Sequence, residues 1–151
     1  MPSIKNIIDF HMELITKIQL IEKISIKFYE EKASLSEERF MEHFKEFSRF
    51  YKKSIVYHFK VEEQALFPVL KERIGKEWIE NILEEHRRIN GMFRRFEEEK
   101  DHMAALEKLR GIIEVVKEHA EKENIKLRSL AGEISKEELQ EINRLMCRVN
   151  I

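Results

Sequence analysis

Two segments, HFKVE at residues 58–62 and HAEKE at residues 119–123, share the pattern His-x-x-x-Glu. Each lies inside a long run whose apolar residues recur with the period of an α-helix. Residues four positions apart stack on one face of a helix, about one turn from each other. Each segment therefore directs an imidazole and a carboxylate to one point. Two such helices that face each other would offer two nitrogens and two bridging carboxylates.

Outward from these segments the pattern is helical nearly throughout, with only four glycines and two prolines in the chain. The period and the capping residues predict helices over about residues 3–30, 37–73, 76–100 and 102–130, and a short one after Ser135. Short connections make neighbouring helices antiparallel. The expected fold is all-α: an up-down-up-down antiparallel four-helix bundle over residues 1–132, with residues 133–151 as a C-terminal helical extension of the same domain.

Local signals set the expected helix ends. Residues 32–35 are predicted to turn the chain, with Ser34 or Ser36 capping the second helix, and Ser135 is predicted to open a capping box with Glu138. Pro68 is predicted to kink the last turns of the second helix, because proline lacks the backbone N–H that an α-helix requires.

Composition excludes several classes of function. The chain has 151 residues, which suits one domain, and its formal net charge is −1 although 38% of its residues are charged. No basic stripe indicates a nucleic-acid partner, and no apolar run is long enough to span a membrane. Charged residues interrupt the N-terminal apolar stretch, so no signal peptide is predicted, and a lone cysteine, Cys147, fits a cytoplasmic location.

Six residues of the predicted bundle share one depth and one face. His11 and His58 lie about 33 Å from the turn between the first two helices, at a rise of about 1.5 Å per residue. By the same rise, His86 and His119 lie about equally far, about 25 Å, from the turn between the third and fourth helices. All fall on the apolar stripe of their helices. The predicted metal ligands are His11, His58, Glu62, His86, His119 and Glu123. The alternative is a buried polar network without metal, in which every donor and acceptor would need a partner.

Other polar residues are interpreted more plainly. His43 and His102 are expected at the surface or at a helix end. Tyr51 is expected to be a core tyrosine, with hydrogen bonding toward a metal ligand as the alternative. Glu63 and Glu85 adjoin predicted ligands but point about 100° away on a helix, so they are expected to be solvated.

The ligand set favours a pair of irons, with manganese or zinc less well suited, because structural zinc prefers four tetrahedral ligands and often cysteine. Each metal would take two imidazoles and one oxygen from each of Glu62 and Glu123, and an oxo or hydroxo bridge would bring each iron (Fe2+/Fe3+) to five ligands. One position per metal would stay open for a small ligand, kept dry by apolar neighbours. These neighbours are Leu14, Ile15, Ile55, Ile82, Ile89 and Val116.

At these residues the chain resembles the hemerythrin-like, or HHE cation-binding, family. The matching features are His11, the segment HFKVEEQALFP at 58–68, the Glu85-His86 pair and the HAEKE segment at 119–123, within residues 4 to 131. The resemblance implies a non-haem di-iron centre in a four-helix bundle. It also implies a range of functions: oxygen carriage or storage, sensing of oxygen or iron, and repair of iron–sulfur clusters under nitrosative stress.

The chain departs from the oxygen-carrying members at two points. Those carriers place two histidines four residues apart on the third helix, whereas Ile82 and Asn90 flank His86 at that spacing here. Their last helix carries His-x-x-x-x-Asp, whereas this chain carries His-x-x-x-Glu. One ligand is therefore missing, or is replaced weakly by Asn90 or water. A more open site favours sensing or redox chemistry over reversible carriage.

Three functions remain open at this point. The first is a di-iron protein that binds or senses oxygen or iron, with no catalytic residue assigned. The second is an enzyme at the same centre that reduces peroxide or nitric oxide or repairs iron–sulfur clusters. The third is an interaction module that needs no metal. The sequence favours a binding protein over an enzyme, with O2, peroxide or NO as its ligand, no nucleic-acid or membrane partner, and an unknown protein partner.

Overall fold

The structure, a computed structural model, describes residues 4–31 and 34–149, and for residues 4–7 and 10 it describes the backbone alone. All regular elements within these ranges are helical, which confirms the predicted all-α class. The α-helices are α1 (Ile4–Glu30), α2 (Glu37–Phe50), α3 (Val56–Val61), α4 (Phe67–Ile74), α5 (Lys76–Glu98), α6 (His102–Leu130) and α7 (Lys136–Met146). The predicted helix start at residue 3 and the turn residues 32 and 33 lie outside the described residues.

The predicted second long helix is a continuous helical run that two π-helical segments, Tyr51–Ile55 and Glu62–Leu66, divide into α2, α3 and α4. In each segment the next backbone N–H donates to the carbonyl five residues earlier. Pro68 lies in the first turn of α4 and cannot donate to the carbonyl four residues before it. The sequence predicts a kink at Pro68. The structure instead shows a π-helical segment, Glu62–Leu66, directly before α4.

These π-helical segments flank α3, which carries the first half of the His-x-x-x-Glu pattern. Glu62, the carboxylate of that pattern, is itself the first residue of the second segment. π-Helical turns inside α-helices occur frequently at functional sites. Sequence periodicity does not indicate them, because each adds a single residue to one turn.

Four long helical stretches share a core. Helix α6 packs along both α1 and α5, and α4 packs against α5 and α6. Aromatic contacts tie α2 to its neighbours: the Phe40 ring lies 5.5 Å from that of Phe28 in α1, and the Phe44 ring lies 5.5 Å from that of Phe96 in α5.

The apolar core divides into two clusters along the helices. In α6, Val116 belongs to the larger cluster and Leu127 to the smaller. In α5, Ile89 belongs to the larger cluster and Ile82 to the smaller. The predicted metal ligands of both helices lie between these apolar positions. A polar layer therefore separates the two clusters at the depth that the helix lengths predict.

Caps and turns largely follow the sequence signals. Ser36, one of two candidates, caps α2 by accepting a hydrogen bond from a backbone N–H in its first turn. Ser34 instead donates to a carbonyl at the end of α1. The capping box of Ser135 and Glu138 is present at α7, as predicted. Gly75 joins α4 to α5 with a φ of 101°, a conformation that favours glycine.

Helix α7 packs on the second π-helical segment and on α4. Its Ile142 side chain is 2% exposed and belongs to the smaller apolar cluster. The Arg73 guanidinium of α4 donates to both carboxylate oxygens of Glu138 at 3.0 Å. The C-terminal extension thus shares a core with the preceding helices. The division of the single domain into a bundle over residues 1–132 and an extension over residues 133–151 stays a prediction. None of the described helices combines the length and apolar character that crossing a bilayer requires.

Candidate metal centre

The structure brings all six predicted metal ligands together in the polar layer. They come from α1, α3, the second π-helical segment, α5 and α6, and none is more than 4% exposed. They are His11, His58, Glu62, His86, His119 and Glu123. The geometry of each helix brings these residues into the layer, because their side chains point toward the core at this depth.

The six residues form two overlapping groups whose candidate ligand atoms lie within 4.8 Å of one another. One group contains His11, His58, Glu62 and Glu123, and the other contains Glu62, His86, His119 and Glu123. Each group has its own two histidines, whereas both carboxylates belong to both groups. This is the arrangement that two cations bridged by two carboxylates require.

Distances at Glu62 show how one carboxylate reaches both groups. Its Oε1 atom lies 3.1 Å from His58 Nε2 and 3.3 Å from His86 Nε2. Its Oε2 atom lies 3.8 Å from His11 Nε2. The carboxylate therefore faces imidazoles from three different helices.

Glu123 is placed in the same way from the opposite side. Its Oε1 atom contacts His119 Nε2, one turn earlier on α6. Its Oε2 atom lies 4.0 Å from His11 Nε2 and 4.0 Å from His58 Nε2. Each of the two His-x-x-x-Glu segments thus supplies one carboxylate that both groups share.

Buried polar atoms in this layer lack hydrogen-bond partners among the described residues. They include both carboxylate oxygens of Glu62, both of Glu123, and Nε2 of His11. Imidazole nitrogens approach some of these oxygens closely, but the directions do not satisfy hydrogen-bond geometry. Unpaired buried carboxylates are costly, and coordinated cations would satisfy them. The donor set therefore fits metal ions better than a self-sufficient polar network.

Burial shapes the protonation of the histidines. It is the main cause that lowers the pKa of His11 to about 4 and the pKa of His119 to about 3. Both imidazoles are therefore neutral near pH 7, the form that binds metal. Burial also opposes charge on His86, but the carboxylates of Glu62 and Glu63 outweigh it and raise the His86 pKa to about 9.

Three residues outside the predicted set lie near the Nδ1 atoms of the histidines, on the side away from the shared carboxylates. Glu63 Oε2 lies 3.1 Å from His86 Nδ1, in hydrogen-bonding contact. Glu85 Oε2 lies 3.6 Å from Nδ1 of His119. Both side chains remain partly solvated, as expected, at 40% and 31% exposed. Their contacts with histidines of the neighbouring helix were not expected, because they depend on the reach of a flexible side chain.

Asn124 is the third such residue. Its Oδ1 atom lies 2.7 Å from His11 Nδ1, and its side chain is buried. Sequence reasoning missed this residue, although it directly follows Glu123. Its position on α6 faces α1, so the packing of those two helices is the signal that would have found it.

The Asn90 amide is hydrogen-bonded to a tyrosine. Its Oδ1 atom accepts a hydrogen bond from the Tyr51 hydroxyl at 2.5 Å. Tyr51 is 1% exposed and stacks on Phe93 with ring centroids 3.9 Å apart. Tyr51 is thus the expected core tyrosine, and its hydroxyl holds Asn90, which lies four residues after His86 on α5.

The two remaining histidines differ from each other. His43 is buried, and its Nε2 lies 3.0 Å from Ser25 Oγ, so the expectation of a surface histidine is wrong there. The helix turns it toward α1, where its ring packs on Phe28. His102 is the first residue of α6, as predicted, and stacks half-buried on Phe40.

Apolar side chains enclose the layer. The six residues predicted to keep it dry are all buried: Leu14, Ile15, Ile55, Ile82, Ile89 and Val116. The Phe59 ring covers a further side of the layer, because it stacks on the ring of His86 at a centroid separation of 3.9 Å. Bulk water is therefore kept from most sides of the cluster.

Comparison with known proteins agrees with the motif. The family model described as Hemerythrin HHE cation binding domain matches residues 3–131. This range contains the whole histidine and glutamate cluster and ends before α7. No curated protein and no solved structure is significantly similar to the chain.

Proposed function

The chain belongs to the hemerythrin HHE cation-binding domain family, and on this premise we propose that it is a non-haem di-iron protein that binds or senses oxygen or iron. The observation that carries the proposal is the pair of overlapping four-residue groups with two shared carboxylates. Two imidazoles and two carboxylate oxygens for each cation suit iron, whereas zinc more often takes four tetrahedral ligands.

Residue roles follow from the geometry. His11 and His58 would hold one iron, and His86 and His119 the other. Glu62 and Glu123 would bridge them, since each carboxylate lies near histidines of both groups. When bound, the pair of irons supplies reversible redox chemistry and Lewis acidity toward a small ligand such as O2, peroxide or NO.

The protein's own contribution is enclosure and orientation. Apolar walls keep water from the cluster, which slows water-assisted loss of a reactive ligand. Partners at the outer nitrogens of His11 and His86 hold these rings in orientation. The low pKa of His11 and of His119 keeps their imidazoles neutral and ready to coordinate.

We also propose the up-down-up-down four-helix bundle as the arrangement that presents these ligands. The contacts of α6 with α1 and α5, and of α4 with α5, support it. So does the polar layer at one depth, because antiparallel neighbours bring the start of one helix beside the end of the next.

Iron analysis together with absorption spectra tests the proposal. Protein purified without oxygen should contain close to stoichiometric iron for two positions, and oxidation should produce oxo-to-iron charge-transfer bands. The Glu118→Gln variant is a matched control, since it removes an exposed carboxylate from α6. Protein that holds little iron and shows no such bands after oxidation would contradict the proposal.

A redox enzyme for peroxide or nitric oxide, or for repair of iron–sulfur clusters, is the second candidate. The bond between Tyr51 and Asn90 favours it, because the Asn90 oxygen is then engaged by the Tyr51 hydroxyl. Among the described residues of α5, His86 is then the one that joins the cluster. A centre with fewer nitrogen ligands is more open to small oxidants. Steady turnover of peroxide or nitric oxide by the iron-loaded protein would support the enzyme, and repeated reversible oxygen binding without turnover would exclude it.

A further inference from the structure

Three of the four histidines of the cluster meet different partners on their outer sides. Nδ1 of His86 lies 3.1 Å from a carboxylate oxygen of Glu63. Nδ1 of His119 lies 3.6 Å from a carboxylate oxygen of Glu85. On the other side, Nδ1 of His11 lies 2.7 Å from the amide oxygen of Asn124. One half of the site is thus backed by anionic groups, and a neutral amide backs His11 in the other half.

This difference changes the histidines as ligands. A carboxylate that accepts the Nδ1 proton holds the imidazole with Nε2 toward the cation and makes the ring a stronger electron donor. An amide oxygen can hold the same orientation, but it adds no negative charge. The donor strength of His86 should therefore exceed that of His11, although both rings have an oriented partner.

The two outer carboxylates do not contribute equally. The Glu85 oxygen that approaches His119 also lies 3.3 Å from Lys122 Nζ, which offsets part of its charge. The Glu63 side chain is 40% exposed, while that of Glu85 is 31% exposed. Both carboxylates are thus in contact with solvent. Only Glu63 lies within hydrogen-bonding distance of its histidine, so its effect should be the larger, whereas Glu85 acts on His119 through its charge alone.

We propose that Glu63 is a positioning residue that orients His86 and strengthens it as a ligand, so that it tightens the binding of a divalent cation at the position of His86 and His119. The charge of Glu85 adds a smaller effect at the same position. This inference rests on the proposed dimetal function. It concerns the affinity of one of the two metal positions, which an outer residue changes without contacting the cation.

Titration of the metal-free protein with Co2+, followed by visible absorption and calorimetry under nitrogen, tests the inference. The unaltered protein should bind two Co2+ ions. The Glu63→Gln variant should weaken the binding of one of them by roughly 10–100-fold, the usual effect of losing an outer partner of a metal-bound histidine. The Glu85→Gln variant should weaken the binding of the same ion by less.

Two further variants assign each ion to its position. Glu84→Gln is the matched control, because it removes the same charge from the same part of α5, where Glu84 bonds to Arg87. It should leave the binding of both ions unchanged. Asn124→Ala should weaken the binding of the other ion through His11. Circular dichroism of each variant confirms that the helices are intact.

The outcomes separate this inference from the function on which it rests. A Glu63→Gln titration that matches that of Glu84→Gln would overturn the inference and leave the dimetal function standing. A protein that binds no Co2+ at all would overturn both.

Discussion

The Nε2 atoms of His86 and His119 lie 3.0 Å apart, although the two residues are 33 positions apart in the chain. Without metal, the raised pKa of His86 keeps a proton on its imidazole, whose Nε2–H donates to the neutral His119 Nε2. A bound cation would take the place of that proton. The Glu62 and Glu123 carboxylates complete the same small space. The contact between the two helices therefore creates a position that a metal ion would stabilise.

Removal of metal should destabilise the fold. Cations that bind only the folded chain add about 2.7 kcal/mol to the free energy of unfolding at a hundred times the dissociation constant. Urea unfolding of chelated and Fe2+-reloaded protein under nitrogen measures the difference. The Glu62→Gln/Glu123→Gln double variant is the control and should not respond to iron. Equal midpoints for the chelated and reloaded protein would contradict the expectation.

Loss of one shared carboxylate should weaken both metal positions. Glu123→Gln removes an oxygen ligand from each of the two groups, so iron per chain should fall well below that of the unaltered protein. His11→Ala touches only one group and should spare the other ion. Metal analysis compares the two variants. A Glu123→Gln protein that keeps its full iron content would show that this residue does not bridge.

The Tyr51 hydroxyl should contribute to stability without binding metal. Tyr51→Phe leaves the Asn90 oxygen without its donor inside the protein, at a cost of about 1–3 kcal/mol in the free energy of unfolding. Iron content should stay unchanged. Tyr57→Phe removes a hydroxyl from a half-buried tyrosine nearby and is the control. A double-mutant cycle with Asn90→Ala should show that the two residues are coupled.

His43 should make stability fall in acid. Burial lowers its pKa below the ordinary value of 6.5. As the pH falls below 6.5, the unfolded chain therefore takes up a proton that the folded chain does not, and the free energy of unfolding decreases until the folded pKa is reached. Urea unfolding from pH 8 to pH 5 should show a steeper loss for the unaltered protein than for His43→Gln.

The contact with Ser25 fixes the tautomer of His43. Ser25 Oγ donates to the Ile21 carbonyl at 2.9 Å and so accepts from His43 Nε2, which leaves Nδ1 of this buried ring to take up the second proton. His102→Gln is the matched control, because His102 is a half-buried histidine at a helix end. If His43→Gln and His102→Gln share the pH profile of the unaltered protein, His43 has no role in the acid loss.

Helix α7 should unfold together with the rest of the chain. Ile142→Ala removes a side chain that is 2% exposed and should cost about 2–5 kcal/mol. Ile125→Ala changes an isoleucine that is 72% exposed and should cost less than about 0.5 kcal/mol. Urea unfolding should remain a single transition. A separate early transition for the Ile142→Ala protein would show that α7 is only loosely attached.

Sequence spacing was sufficient to identify the six residues of the cluster. Helical period assigns each residue to a face, and the rise per residue assigns it to a depth. Two matching depths on antiparallel helices then predict that residues distant in the chain meet. The same two quantities predicted the buried walls at Ile82, Ile89 and Val116.

Helical period and rise per residue could not predict the side-chain contacts between neighbouring helices. Glu63 and Glu85 point away from the core on their own helices, yet their long side chains reach histidines of the neighbouring helix. His43 faces α1 rather than solvent, because the packing partner of its helix face is a property of the assembled fold.

By itself, the sequence determined the all-helical class, the inward faces and the two groups of imidazoles and carboxylates, because these depend on the geometry of single helices. The tertiary structure alone decided the π-helical turns beside Glu62, the bond between Tyr51 and Asn90, and the outer partners of the histidines. Those features depend on which side chains of neighbouring helices come within a few ångströms, and periodicity along one chain carries no information about that distance.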